Sequence, residues 1–147
     1  RKLPNLASNS TIVRVFDANI NRAKEGLRVC EEVARFILNA PSLARQCKLL
    51  RHRIDRICRS LASYARLHAC RDSRGDVGRT IHSSSELRRN SVSDIFSANI
   101  QRAKESIRVL EEFSKIDDVK AALKFKALRY ELYELEKKIT QKLQTLR

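Results

Sequence analysis

The residues of this chain that could handle an anion fall in two places. The first is the stretch from Cys70 to Asn90, CRDSRGDVGRTIHSSSELRRN. It carries Gly75 and Gly78, Asp72 and Asp76, and Arg71, Arg74, Arg79, Arg88 and Arg89. Glycines let backbone amides approach an anion, guanidinium groups grip phosphate bidentately, and an aspartate can bring in Mg²⁺. A connector between helical units must also be polar and must turn, which is the plain alternative. A linker this long inside a compact domain is more often functional or disordered than idle.

The second set sits on helices. At about 100° per residue, Ala23, Leu27, Cys30, Val33, Ala34 and Ile37 fall within about 80° of Asn19. Asn19 therefore stands near the middle of an apolar stripe, with Gly26 beside it and Arg22 at its edge. The same count gives Asn99 its stripe, with Ser106 and Arg102 in the matching places. A buried amide needs partners, because leaving it unpaired costs on the order of 1–3 kcal/mol. Two readings stay open. In one the two asparagines form a structural polar layer, bonded to each other or to backbone. In the other Asn19, Asn99, Arg22 and Arg102 floor a ligand pocket, with Gly26 and Ser106 kept small to leave room. Arg28, Glu31, Glu32 and their counterparts Arg108, Glu111 and Glu112 point away from the stripe, and surface ion pairs explain them.

These positions correspond because the sequence repeats. Residues 17–36, DANINRAKEGLRVCEEVARF, align without a gap to residues 97–116, SANIQRAKESIRVLEEFSKI, with eleven identities in twenty positions. Polar positions match as well as apolar ones, which favours duplication over a shared amphipathic pattern. Each copy is followed by a second helix with a seam stepping by three and four. In the first the seam is Leu43, Cys47, Leu50, Ile54, Ile57, Leu61 and Tyr64. In the second it is Ala121, Phe125, Leu128, Leu132, Leu135, Ile139 and Leu146. Asn39-Ala40-Pro41-Ser42 makes the first turn, with Pro41 opening the next helix, and Asp117-Asp118 makes the second. Ser91-x-x-Asp94 marks a helix start. Four helices are expected at about 10–39, 42–69, 91–116 and 118–145. The fold class is all-α: two duplicated antiparallel hairpins (10–69 and 91–145) with pseudo-twofold symmetry, joined by the crossover 70–90, in one domain spanning 1–147.

Composition agrees with that architecture. Three Gly and two Pro in 147 residues leave little room for a many-turned β protein. A net charge of +14 attracts anions, whether nucleic acid, acidic membrane or phosphorylated small molecules. No run of five basic residues forms a nucleic-acid arm, and aromatics are only 5%. Cys30, Cys47, Cys58 and Cys70 include no C-x-x-C pair and read as reduced, mostly core-facing thiols of a cytoplasmic protein. No apolar run is long enough to cross a bilayer. Phosphate loops, dinucleotide fingerprints and zinc-helix motifs are missing, and His52, His68 and His82 are not spaced as ligands. His68 falls in the seam register, at the core or its rim.

The string DAN-x-x-RA-x-EGLRV-x-EE, then L-R-x-R, then RD-x-x-GDVG, then AN-x-x-RA-x-E-x-x-RVLEE resembles a small helical domain commonly found N-terminal to thiamine phosphate synthase. That family has its own assignment as a hydroxymethylpyrimidine phosphate kinase, and the match runs from about residue 12 to 140. The resemblance implies transfer of the ATP γ-phosphoryl group, with Mg²⁺, onto 4-amino-5-hydroxymethyl-2-methylpyrimidine phosphate. It carries over Asn19, Arg22, Glu25, Asn99, Arg102 and Glu105, and Arg71, Asp72, Gly75, Asp76 and Gly78. In the resulting expectation Asp72, Asp76, Glu25 and Glu105 are catalytic, with Asp72 and Asp76 holding Mg²⁺. Asn19, Arg22, Asn99, Arg102, Arg71, Gly75, Gly78 and Arg79 bind substrate and phosphate. Arg79 replaces the threonine expected directly after Gly78, either as an added phosphate grip or as the mark of a changed site. Thiamine phosphate synthase is a candidate partner and a homo-oligomer a candidate state. The alternatives are a noncatalytic domain binding a phosphate ligand or serving that synthase, and a basic bundle binding nucleic acid. The synthase's eight-stranded barrel cannot be built from these helices, so synthase activity does not belong to this segment.

Overall fold

A computed structural model describes residues 9–116 and 118–146, and among these it is all-helical. The elements are α1 (Ser10–Glu32), a π-helical turn (Val33–Ile37), α2 (Pro41–Leu61), α3 (Tyr64–Cys70), α4 (Val92–Ser114) and α5 (Val119–Gln144). Side-chain caps set most of the starts. Asn9 accepts from the Ile12 amide, Ser63 from Arg66, Ser91 from Asp94 and Asp118 from Ala121. Asp94 Oδ2 in turn accepts from the Asn90 amide at 3.1 Å, one residue before the cap, a looser relative of the capping box. Pro41 opens α2 as anticipated, after Asn39 turns the chain with φ of 50°. Asp117 lies outside the described residues.

α1 lies along α4, and each is flanked by its own second helix, α2 beside α1 and α5 beside α4. The outer helices touch each other, partly through Arg53 and Glu131. The core runs through all four, with Leu27, Ile54, Ile107, Phe125 and Leu132 fully buried. Each such side chain contributes roughly 1.5–3 kcal/mol by leaving water. α1 and α4 approach closely at Gly26, where a Cβ would stand 2.7 Å from the Asn99 carbonyl oxygen and 3.5 Å from the Ala103 Cβ. Gly26 is thus small to admit a neighbouring helix, not to leave room for a ligand. Ser106, its counterpart, is buried and donates to the Arg102 carbonyl at 2.8 Å.

Two expectations of helix length need correction. The segment expected as one helix to residue 69 breaks at Ala62, which is extended, and restarts as α3 under the Ser63 cap. The break shifts the phase: Leu67 is buried, while Tyr64 and His68, expected in the seam, are exposed. In the second half Leu146 lies beyond the end of α5 and is also exposed.

The glutamates expected on the surface also divide. Glu32, half-buried, and Glu112, exposed, are partners of Arg28 and Arg108. Glu31 and Glu111 are buried and reach across to the second helix of their own half. Glu31 accepts from Arg51 at 2.7 Å, and Glu111 from Arg129 Nε at 3.1 Å. The wheel placed both carboxylates off the α1 and α4 stripes, but α2 and α5 cover that flank. Cys30, Cys47 and Cys58 are free and buried, and Cys70 is free and half-buried, in accord with core-facing thiols. Burial pushes the Cys47 thiol up to about 12, with the Glu31 carboxylate adding to the effect. Among the described residues no helix is long and apolar enough to cross a membrane.

Candidate functional site

The crossover folds back over the N-terminal half of α1, and the two border an open cavity of about 740 Å³. α1 contributes Arg14, Asp17, Asn19 and Arg22, the crossover contributes Arg71, Asp72, Asp76, Gly78 and Arg79, and α4 contributes Arg102. Residues from three segments far apart in sequence therefore meet, Asn19, Arg22 and Arg102 of the expected pocket floor among them but not Asn99.

The crossover is tied down by Arg71. Its Nε and Nη2 donate to the two carboxylate oxygens of Asp17, both at 2.7 Å. Asp17 is only 6% exposed, so this fork satisfies a nearly buried charge. The Asp17 hydrogen bonds in turn push the Arg71 guanidinium above its ordinary value. Arg14 adds a second tie, donating to the Asp72 carbonyl at 3.3 Å. The crossover's own turns are closed by its aspartates: Asp72 Oδ1 accepts from the Gly75 amide at 2.9 Å, and Asp76 Oδ1 from the Gly78 amide at 2.8 Å.

These bonds revise several expected roles. The amides of Gly75 and Gly78 are already engaged by carboxylates, so they do not cradle an anion here. Gly75 does not line the cavity, and neither do Asn99, Glu25 and Glu105. Glu25 and Glu105 are exposed. Asn99 is half-buried at the α1–α4 contact, where its own Nδ2 donates to Ile95 O at 2.8 Å. Asn19 makes the same bond to Val15 O, also at 2.8 Å, and stands in the cavity wall. The two amides do not pair with each other; each is satisfied by its own helix. Asp72 and Asp76 are each partly spent on the loop. Among the described residues no three His, Cys, Asp or Glu side chains converge where a metal could be held.

The exposed charged side chains left without a protein partner there are cationic. Arg22, Arg79 and Arg102 line the cavity, and among the described residues no carboxylate or carbonyl accepts from their guanidinium groups. Five arginines face three aspartates there, and Arg71 already neutralises one of these, Asp17. Such a wall favours a phosphate-sized anion over a cation. Arg79, the departure from the expected loop motif, is thus on the cavity. Asp17 went unrecognised in the sequence as a site residue. The signal was available: a carboxylate in step with Val13, Phe16 and Ile20, at a position where the other repeat has Ser97.

The sequence model of the ThiD2 family matches residues 14–138. Among curated proteins the chain is similar to a thiamine-phosphate synthase of Synechocystis, 41% identical over 94% of this chain and 40% of the relative. Thiamine-phosphate synthases of Nostoc sp. and Nostoc punctiforme are 39% and 41% identical, each over 85% of this chain and 34% of the relative. The chain thus spans about 40% or less of the length of these relatives. No solved structure matches it. These findings overturn the expected ATP-dependent kinase: the relatives are named as synthases, and the carboxylates assigned to catalysis are exposed outside the cavity or bound to the loop. The matching motifs, with the repeat and crossover that carry them, make this chain a member of the ThiD2 family.

Proposed function

We propose that this chain is a noncatalytic ligand-binding domain serving thiamine-phosphate synthase, and that its cavity holds a pyrimidine phosphate. The observation that carries this reading is the set of three arginines, Arg22, Arg79 and Arg102, aimed at one cavity without acceptors of their own. A dianionic phosphate ester would satisfy them with charge-assisted hydrogen bonds. Asn19 commits its Nδ2 to α1 and keeps Oδ1 as an acceptor at the wall, suited to the amino group of a pyrimidine. Val15 and Ala18 supply apolar contact for a flat ring. Arg71 orients the crossover and leaves the grip on phosphate to the other three. Asp72 and Asp76 each give one carboxylate oxygen to the loop's own amides.

In the same reading the halves are copies of one hairpin paired about a pseudo-twofold axis. The matching Asn back-bonds and matching buried Glu–Arg pairs support it. Four free thiols suit a reducing, cytoplasmic setting.

Thermal-shift titration tests the proposal, because a ligand that binds only the folded state raises the melting temperature by mass action. Hydroxymethylpyrimidine phosphate is expected to stabilise the chain, and Arg22→Gln or Arg102→Gln to abolish the shift. Unphosphorylated pyrimidine, ATP with Mg²⁺ and a DNA oligonucleotide serve as comparison arms. Stabilisation by the oligonucleotide alone would sink the reading.

A further inference from the structure

α5 carries two apolar faces set back to back. Its core seam, Phe125, Leu128, Leu132 and Ile139, is fully buried. At about 100° per residue, Val119, Leu123, Tyr130 and Tyr133 form a second stripe roughly opposite that seam. This outer stripe faces solvent: Val119 is 64% exposed, Leu123 60% and Tyr130 56%. The aromatic pair is held rigid. The rings of Tyr130 and Tyr133 meet edge to face at 5.7 Å, and Arg129 lies near both and donates to the Tyr133 hydroxyl at 3.0 Å. Rigid aromatics beside an arginine are the side chains on which protein interfaces concentrate their binding energy.

The first half shows that the fold does not require this stripe. Aligning Arg129 with Arg51 puts Pro41, Arg45, His52 and Asp55 at the corresponding positions of α2, a largely polar face. The first half exposes Phe36, Ile37 and Leu49 elsewhere, but no apolar stripe stands on the face of α2 that corresponds to this one.

We infer that this face of α5 docks against the part of a thiamine-phosphate synthase lying outside the matched segment, at an apolar patch rimmed by carboxylates. Two observations choose that occupant. Lys126 and Lys137 lie along the stripe and Lys120 and Lys138 at its edge, against Glu134 and, beyond that edge, Glu131, which is already paired with Arg53, so the surface calls for an acidic rim. A second copy of this chain, itself at +14, would oppose lysines to lysines across a twofold contact. In the relatives more than half of the chain lies beyond this domain, which tethers such a partner at high effective concentration. The inference does not depend on what the cavity binds.

Two measurements test it. A benzophenone side chain placed in the intact Synechocystis relative, at the position aligned with Tyr130, is expected to crosslink to residues of the same chain outside the aligned segment. Crosslinks joining the aligned segments of two chains, or no crosslink at all, would overturn the assignment. Sedimentation of the present chain alone is expected to show a monomer at about ten micromolar. A dimer that Tyr130→Lys dissociates would give the face to a second copy instead.

Discussion

Glu31 with Arg51 and Glu111 with Arg129 recur in both halves of the molecule, whereas Asp17 with Arg71 occurs in only one. The recurring pairs pin each inner helix to its outer helix, so they belong to the scaffold that was copied. Where the first repeat has Asp17, the second has Ser97, which is exposed. The single pair fastens the crossover over one end of α1, and the cavity lies there. In this protein repetition marks structure and the departure from repetition marks the candidate site.

The recurring pairs should give the largest effect. Glu111→Ala leaves a mostly buried Arg129 without its carboxylate, and removing one partner of a buried pair costs about 3 kcal/mol. For a chain of this size that is a melting temperature lowered by roughly 6–12 °C. Glu31→Ala should behave alike, and a marked difference between the two would end the claim that the pairs are equivalent. Next come the cavity arginines. Arg22→Gln and Arg102→Gln should each weaken binding of the pyrimidine phosphate about ten-fold or more, as expected for a lost charged hydrogen bond, with little change in melting temperature. Equal affinities by calorimetry would remove the cavity from consideration.

A smaller effect is expected where α1 meets α4. Gly26→Ala gains helix propensity of about 1 kcal/mol but forces the Asn99 backbone away, a strain of about 1–3 kcal/mol. A net loss of about 1 kcal/mol in urea unfolding is anticipated, with Ser106→Ala closer to neutral. The smallest effect concerns Glu112, whose hydrogen bond from Lys115 holds its carboxyl below the ordinary 4.5. A lowered folded value stabilises above the unfolded one, and the contribution disappears as pH falls through the folded value. The gap in melting temperature between the native chain and Glu112→Gln should therefore be largest near neutral pH and close on acidification.

Most of the scaffold could be read from residue types. The periodicity of α1, α4 and α5, the Pro41 start and the Ser91 and Asp118 caps are local properties, and each is present. The break at Ala62 was not legible, because Ala62 and Ser63 carry no strong breaker and Leu61 and Tyr64 continue the three-four rhythm. Burial of Glu31 and Glu111 depends on which outer helix covers them, which a single-helix wheel does not contain. The site was legible in part. Arg22, Arg71, Arg79 and Arg102 were found because their charge and spacing needed an explanation. Glu25 and Glu105 came from resemblance, Gly75 and Asn99 from residue type and spacing, and the fold sets all four outside the cavity. Asp17 was overlooked because its partner lies 54 residues away.

The π-helical turn at Val33–Ile37 has a consequence for how such a chain tolerates change. Twenty residues separate Glu31 from Arg51, but eighteen separate Glu111 from Arg129, and both pairs still close. The widened turn falls within the longer connection and can take up part of its extra length before α2 begins. Insertion or deletion near residues 33–40 should accordingly leave the ends of the hairpin in register, making this elbow a natural graft point for joining halves from different relatives.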